Sequence, residues 1–155
     1  MLKRGFKFIE YENRLEKVQS IMYRNKIDML LITSEYFMRY FIGFSSQFWQ
    51  SPTRPWFIII LPEGSPIAVI PSIGVPLMES CYVGKIHSWA SPDKDDDGIS
   101  LLLKVLQESS GGKGANIGLL MGRETSFRAP LQDILNLIAP ETKLKISDIT
   151  PSSPF

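Results

Sequence analysis

Trp56-Phe57-Ile58-Ile59-Ile60-Leu61, then Pro62-Glu63-Gly64-Ser65-Pro66, then Ile67-Ala68-Val69-Ile70-Pro71: two apolar runs flank a segment built of turn residues. The runs are rich in β-branched residues and too short for helices. Residues 57–61 and 67–70 therefore read as two strands, and Pro62-Glu63-Gly64-Ser65 makes them antiparallel neighbours in a hairpin. Neither run alternates apolar with polar, as a strand with one wet face would, so both faces of this hairpin must be covered.

The rest of the chain supplies the cover. Upstream, Tyr11, Leu15, Val18 and Met22 recur at helical spacing beside Ile21, with Glu12, Arg14, Glu16, Lys17 and Arg24 opposite. This predicts an amphipathic helix over 11–25. Met29-Leu30-Leu31-Ile32-Thr33 follows as another doubly covered strand. Downstream, the turn Pro71-Ser72-Ile73-Gly74 leads to a short helix near 76–81 and a strand over 85–89. Ile99, Leu102, Leu103 and Leu106 mark a second helix, introduced by the Asp95 to Asp97 charges and ended by Ser109-Ser110-Gly111-Gly112. A strand over 116–121 comes next. Phe127, Leu131, Ile134, Leu135 and Ile138 then mark a third helix, closed by Ala139-Pro140, and a strand over 144–149 ends the succession. The sum is an α/β fold, a three-layer-like mixed sheet of about six strands containing an antiparallel hairpin and flanked by helices.

Composition narrows the function classes. The chain has 155 residues, 44% of them apolar and 21% charged, enough for one domain with a core of its own. Seventeen Lys and Arg against sixteen Asp and Glu leave a net charge of +1, without the basic excess that rewards nucleic-acid binding. No apolar run approaches the roughly twenty residues of a membrane span. Lys and Glu interrupt any signal-peptide core after the basic start, and the single cysteine, Cys81, fits a reducing compartment. These readings predict a cytoplasmic protein with neither a nucleic-acid nor a membrane partner.

Several motifs fail on inspection. Asp93-Lys94-Asp95-Asp96-Asp97-Gly98 begins like a calcium loop, but its twelfth position is Lys104, a cation where a bidentate Glu is needed. Gly111-Gly112-Lys113-Gly114 lacks the upstream Gly and the following Ser or Thr of a phosphate loop, and it precedes a strand. It reads as a helix-to-strand connection. The only histidine, His87, sits in a strand; neither it nor Cys81 has an orienting third group nearby in sequence. The chain alone therefore offers no catalytic residue and no metal-ligand set.

One region stands apart. Nine of the seventeen aromatic residues fall between positions 36 and 57: Tyr36, Phe37, Tyr40, Phe41, Phe44, Phe48, Trp49, Trp56 and Phe57. About half of the Tyr36, Phe37, Tyr40 and Phe41 group is expected in helix and core. Residues 45–55 hold Pro52 and Pro55 without periodicity, which describes a surface loop, and Phe48 and Trp49 exposed on it would form a contact surface together with Arg54.

Taken in order, Glu10-Tyr11-Glu12-Asn13-Arg14-Leu15-Glu16-Lys17-Val18-Gln19, Ile27-Asp28-Met29-Leu30-Leu31-Ile32-Thr33, Arg39-Tyr40-Phe41-Ile42-Gly43-Phe44 and the hairpin from Trp56 to Pro71 resemble the N-terminal domain of the creatinase, prolidase and Xaa-Pro aminopeptidase family. The match spans nearly the whole chain; Phe37 departs from it where the family often has Asn. The resemblance implies a ribonuclease H-like architecture. It also implies a parent metallohydrolase whose separate C-terminal pita-bread domain binds two divalent metals through two Asp, one His and two Glu. That domain lies outside this chain, which would be a single N-terminal-type domain over 1–155 with no cofactor of its own.

The resemblance further implies a homodimer in which this domain partners its own catalytic domain and a second subunit. Some family members lean an aromatic side chain or an Arg into the neighbouring active site, shaping it for short peptides or small amidino compounds. Phe48, Trp49 and Arg54 occupy the corresponding loop, Arg54 with a planar fork suited to a substrate carboxylate. The function so implied is dimerisation and capping of the partner subunit's active site in an Xaa-Pro peptidase-like or creatinase-like hydrolase. The alternative is a freestanding α/β small-ligand-binding or regulatory module that uses the same loop.

Overall fold

The computed structural model describes residues 5–50, 55–122, 128–137 and 139–150, with the backbone alone for Gln50 and Leu131. In chain order the elements are α1 (Phe8–Asn25), β1 (Met29–Ile32), α2 (Glu35–Ile42), β2 (Phe57–Ile60), β3 (Ile67–Pro71), α3 (Val75–Met78), β4 (Lys85–Trp89), α4 (Ile99–Ser109), β5 (Ala115–Leu119), α5 (Leu131–Leu137) and β6 (Leu144–Asp148). Short 3-10 turns fall at Gln47–Gln50, Ser72–Gly74 and Pro140–Thr142.

Six strands form one sheet in the order β4-β3-β2-β1-β5-β6. The predicted hairpin pairs Phe57 with Val69 and Ile59 with Ile67, antiparallel. β2 is also antiparallel to β1, while β1–β5, β5–β6 and β3–β4 are parallel pairs, so β2 alone runs against the other strands. Strand alternation sends Leu30, Ile32, Ile58 and Ile60 to one face and Met29, Leu31, Phe57 and Ile59 to the other. α1, α2 and α3 cover the first face through Leu15, Val18, Met22, Met38, Phe41, Ile42 and Met78. α4 and α5 cover the second through Leu102, Val105, Leu106 and Leu137. Each of these fully buried side chains contributes about 1.5–3 kcal/mol of transfer free energy, which accounts for the unbroken apolar runs of the central strands.

Boundaries differ from expectation where local chemistry intervenes. α1 starts at Phe8 rather than 11 and stops where Lys26, in the left-handed region at φ 56°, turns its N–H back to the carbonyls of Met22 and Tyr23. β5 ends at Leu119 instead of 121, because the Met121 N–H leaves the ladder to reach Asp148 Oδ1 at 3.2 Å. The third helix begins at Leu131, its first turn anchored on the Pro130 carbonyl, which accepts from Asp133 and Ile134; Phe127 and Ile138 lie outside the described residues. At the helix's far end, buried Thr142 Oγ1 donates to the Leu137 carbonyl at 2.8 Å and accepts from the Leu144 N–H, tying α5 to β6. Among the described residues no helix is long and apolar enough to cross a membrane.

Candidate functional site

Between β1 and β2 the chain makes α2 and then an aromatic segment, and each turn in it has a local cause. Ser34 stands at the N-cap position in extended backbone, and α2 stops at Gly43, whose φ of 77° only glycine adopts freely. A Cβ on Gly43 would also lie 2.6 Å from the Tyr11 hydroxyl, so α1 and α2 meet closely here. Phe44 drops fully into the core. Arg39 Nη2 donates to Ser45 Oγ at 2.8 Å and the Phe48 N–H donates to Ser46 Oγ at 3.2 Å, which bends the chain into the 3-10 turn of Gln47–Gln50.

That turn separates its two aromatic residues. Successive residues of a 3-10 helix point about 120° apart. Phe48 is 40% exposed and lies on the Trp56 ring with centroids 6.4 Å apart and planes 13° from parallel. Trp49 is only 4% exposed, wedged between Phe44 at 6.4 Å and Trp56 at 5.9 Å. The expectation that both rings would face solvent is therefore corrected. Trp49 is an anchor in the first-face core, and Phe48 is the ring left on the surface. Arg54, the third candidate, lies outside the described residues. Of the four aromatics in α2, Phe41 is fully buried, Phe37 and Tyr40 pack against the core, and Tyr36 is 80% exposed.

Two further groups complete the arrangement, and neither is apparent from sequence spacing. Gly74 lies beneath the Trp56 ring, where a Cβ would come within 2.2 Å of Cζ3. Arg128, from the segment after β5, sets its guanidinium carbon 5.7 Å from the centroid of Trp49, within cation–π range. Its backbone N–H donates to Thr33 Oγ1 at 2.7 Å. Thr33 follows β1, and β1 and β5 are the adjacent parallel strands from which the chain departs to opposite faces. The aromatic cluster thus sits over the carboxyl ends of the strands at the point where strand order reverses, the usual location of functional segments in open α/β sheets.

The remaining candidates occupy structural positions. Ile86 packs with the first-face cluster that also contacts Cys81, so alternation along β4 puts His87 on the opposite face, beside Trp89. Burial pushes the Cys81 thiol up to about 11, leaving it protonated and unreactive at neutral pH. The acidic stretch before α4 caps backbone. Asp93 Oδ1 accepts from the Asp95 and Asp96 N–H groups, Asp96 Oδ1 from Ser100, and Asp97 Oδ1 from the Trp89 indole at 2.8 Å. Among the described residues no three His, Cys, Asp or Glu side chains come together in a way that could hold a metal ion.

Comparison with known proteins agrees with this fold. The family model described as Creatinase/Prolidase N-terminal domain matches residues 14–134. The fold is similar to prolidase from Thermococcus sibiricus (TM-score 0.71, 17% identity, 91% of this chain and 35% of that one). It is similar to dipeptidase PepE from Mycobacterium ulcerans (TM-score 0.66, 19% identity, 95% and 36%). It is also similar to the Creatinase/Prolidase N-terminal domain of an X-PRO dipeptidase from Streptococcus pyogenes (TM-score 0.65, 12% identity, 90% and 95%). The chain spans about a third of the first two proteins and nearly all of the third. No curated protein matches. At these identities the structural likeness speaks for the fold, and the family match covers most of the sequence: the chain belongs to the creatinase/prolidase N-terminal domain family.

Proposed function

We propose that this domain is the accessory, non-catalytic part of a cytoplasmic, homodimeric Xaa-Pro peptidase-like metallohydrolase, and that its aromatic segment covers the active site of a second subunit. The observation that carries the reading is Phe48: an aromatic ring held on the surface, stacked on Trp56 and backed by Trp49. An exposed ring on a rigid base suits the apolar wall of a short-peptide pocket. Arg54, six residues further on, is the proposed partner of the peptide carboxylate. Trp49 serves by holding Phe48 in place. The metals belong to the proposed catalytic domain, where they would supply Lewis-acid activation of the scissile carbonyl.

The test is to assay the purified 155-residue chain on Xaa-Pro dipeptides with manganese or cobalt supplied. The reading expects no turnover from the chain by itself. Turnover that tracks this chain through purification would contradict it.

A further inference from the structure

The side chains of the turn that displays Phe48 are held by ring contacts more than by hydrogen bonds. Within Gln47–Gln50, the Phe48 N–H bonds only two residues back, to Ser46 Oγ, and the buried Trp49 Nε1 has no hydrogen-bond partner; Trp56 Nε1, beneath it, has none either. Beyond the backbone bonds of the 3-10 turn itself, what restrains the Trp49 side chain is packing against Phe44 and Trp56 and the Arg128 guanidinium at 5.7 Å from its centroid. Arg128 is itself fixed at its backbone, through the 2.7 Å bond to Thr33 Oγ1, and Thr33 is a 2% exposed residue directly after β1. A cation on an indole face is attracted to the ring's negative quadrupole without needing the N–H, which is the interaction this side chain lacks elsewhere.

We infer that Arg128 is a positioning residue: by holding its charge against the Trp49 ring it locks the 3-10 turn to the end of β1 and so fixes where Phe48 is presented. Two chain segments separated by some eighty residues then act as one unit at the strand-order reversal. The inference deepens the proposed role of Phe48 and rests on it only for the functional consequence. The mechanical link between Arg128 and Trp49 stands apart from it.

The chain has three tryptophans, so its indole N–H groups give three assignable NMR signals. Trp89 is an internal control, since its indole donates to Asp97 at 2.8 Å on the second face of the sheet. In the 155-residue chain, Arg128→Ala and Arg128→Met should speed solvent exchange of the Trp49 indole N–H about three- to thirtyfold, the range expected for one cation over an indole face. Trp89 exchange should not change. Arg128→Lys keeps a cation on a flexible stem and should restore exchange to within about twofold of the native chain. The inference is overturned if the Trp49 signal is unmoved in Arg128→Ala, if Arg128→Met behaves as the native chain, or if Trp49 and Trp89 accelerate together, which would report general loosening. Kinetics that ignore Phe48→Ala while Trp49 exchange responds to Arg128 would remove the proposed role of Phe48 and leave the Arg128 link standing.

Discussion

Phe48 lies almost parallel to Trp56, 13° between planes and 6.4 Å between centroids, with one ring 40% exposed and the other 1%. The pair joins surface to core in a single contact. The consequences divide between the displayed ring and the rings that hold it.

Removing each ring separates the two roles. Trp49→Ala opens a cavity between Phe44 and Trp56 and should cost about 3–5 kcal/mol of stability, whereas Phe48→Ala deletes a half-exposed ring and should cost about 1 kcal/mol. Urea denaturation of the two variants measures this. Equal losses would mean that Phe48 is as much a part of the core as Trp49.

The floor of the cluster is equally testable. Gly74 has an ordinary φ of −87°, so its replacement meets no backbone strain, only the Trp56 ring 2.2 Å away from the added Cβ. Gly74→Ala should destabilise by about 1–3 kcal/mol, the usual cost of overpacking. It should also shift the Trp56 indole resonance while leaving that of Trp89, on the second face of the sheet, in place.

Charge at the start of α4 gives opposite pH responses. Partial burial pulls the Asp96 carboxyl up, but bonds from the Ser100, Ile99 and Gly98 backbone outweigh it and leave the group below its ordinary value. Its stabilisation is therefore present above the unfolded-state value and is lost as pH falls through the folded one. Asp133 sits above its ordinary value, first through partial burial and then through the charges of Asp96 and Asp97. Its ionisation costs stability as pH rises past the unfolded value. Thermal melts near neutral pH should show Asp96→Ala below the native chain and Asp133→Asn above it, with both differences shrinking in acid.

Cys81 supplies a check on the discarded nucleophile. Because burial raises its thiol to about 11, reaction with a disulfide reagent near pH 8 should be at least about a hundredfold slower in the folded chain than in denaturant. Rapid labelling of the native protein would reopen a thiol-based reading.

What is legible in the sequence follows from which forces are local. The runs at Met29–Ile32, Phe57–Ile60 and Ile67–Pro71 announced doubly covered strands because burial on both faces removes polar residues altogether. The Pro-Glu-Gly-Ser turn dictated their pairing, and the family resemblance was legible from their order. The position of β5 next to β1, reached after the chain leaves the β4 edge, was not legible, since a long crossover leaves no mark in local periodicity. At the candidate site, composition marked the aromatic segment but could not rank its rings. A 3-10 turn spanning Phe48 and Trp49 assigns one outward and one inward, and Arg128 reaches Trp49 from a distant part of the chain that spacing does not connect.

In the proposed function, the ring of Phe48 completes a pocket formed by another polypeptide. This is tested most directly by steady-state kinetics of Phe48→Ala in the protein that joins this domain to its proposed catalytic domain, with metal content measured alongside. The KM for Xaa-Pro substrates should rise about tenfold, the loss of one buried aromatic contact, with kcat and bound metal unchanged. An unaltered KM in a folded, fully metallated variant would contradict it.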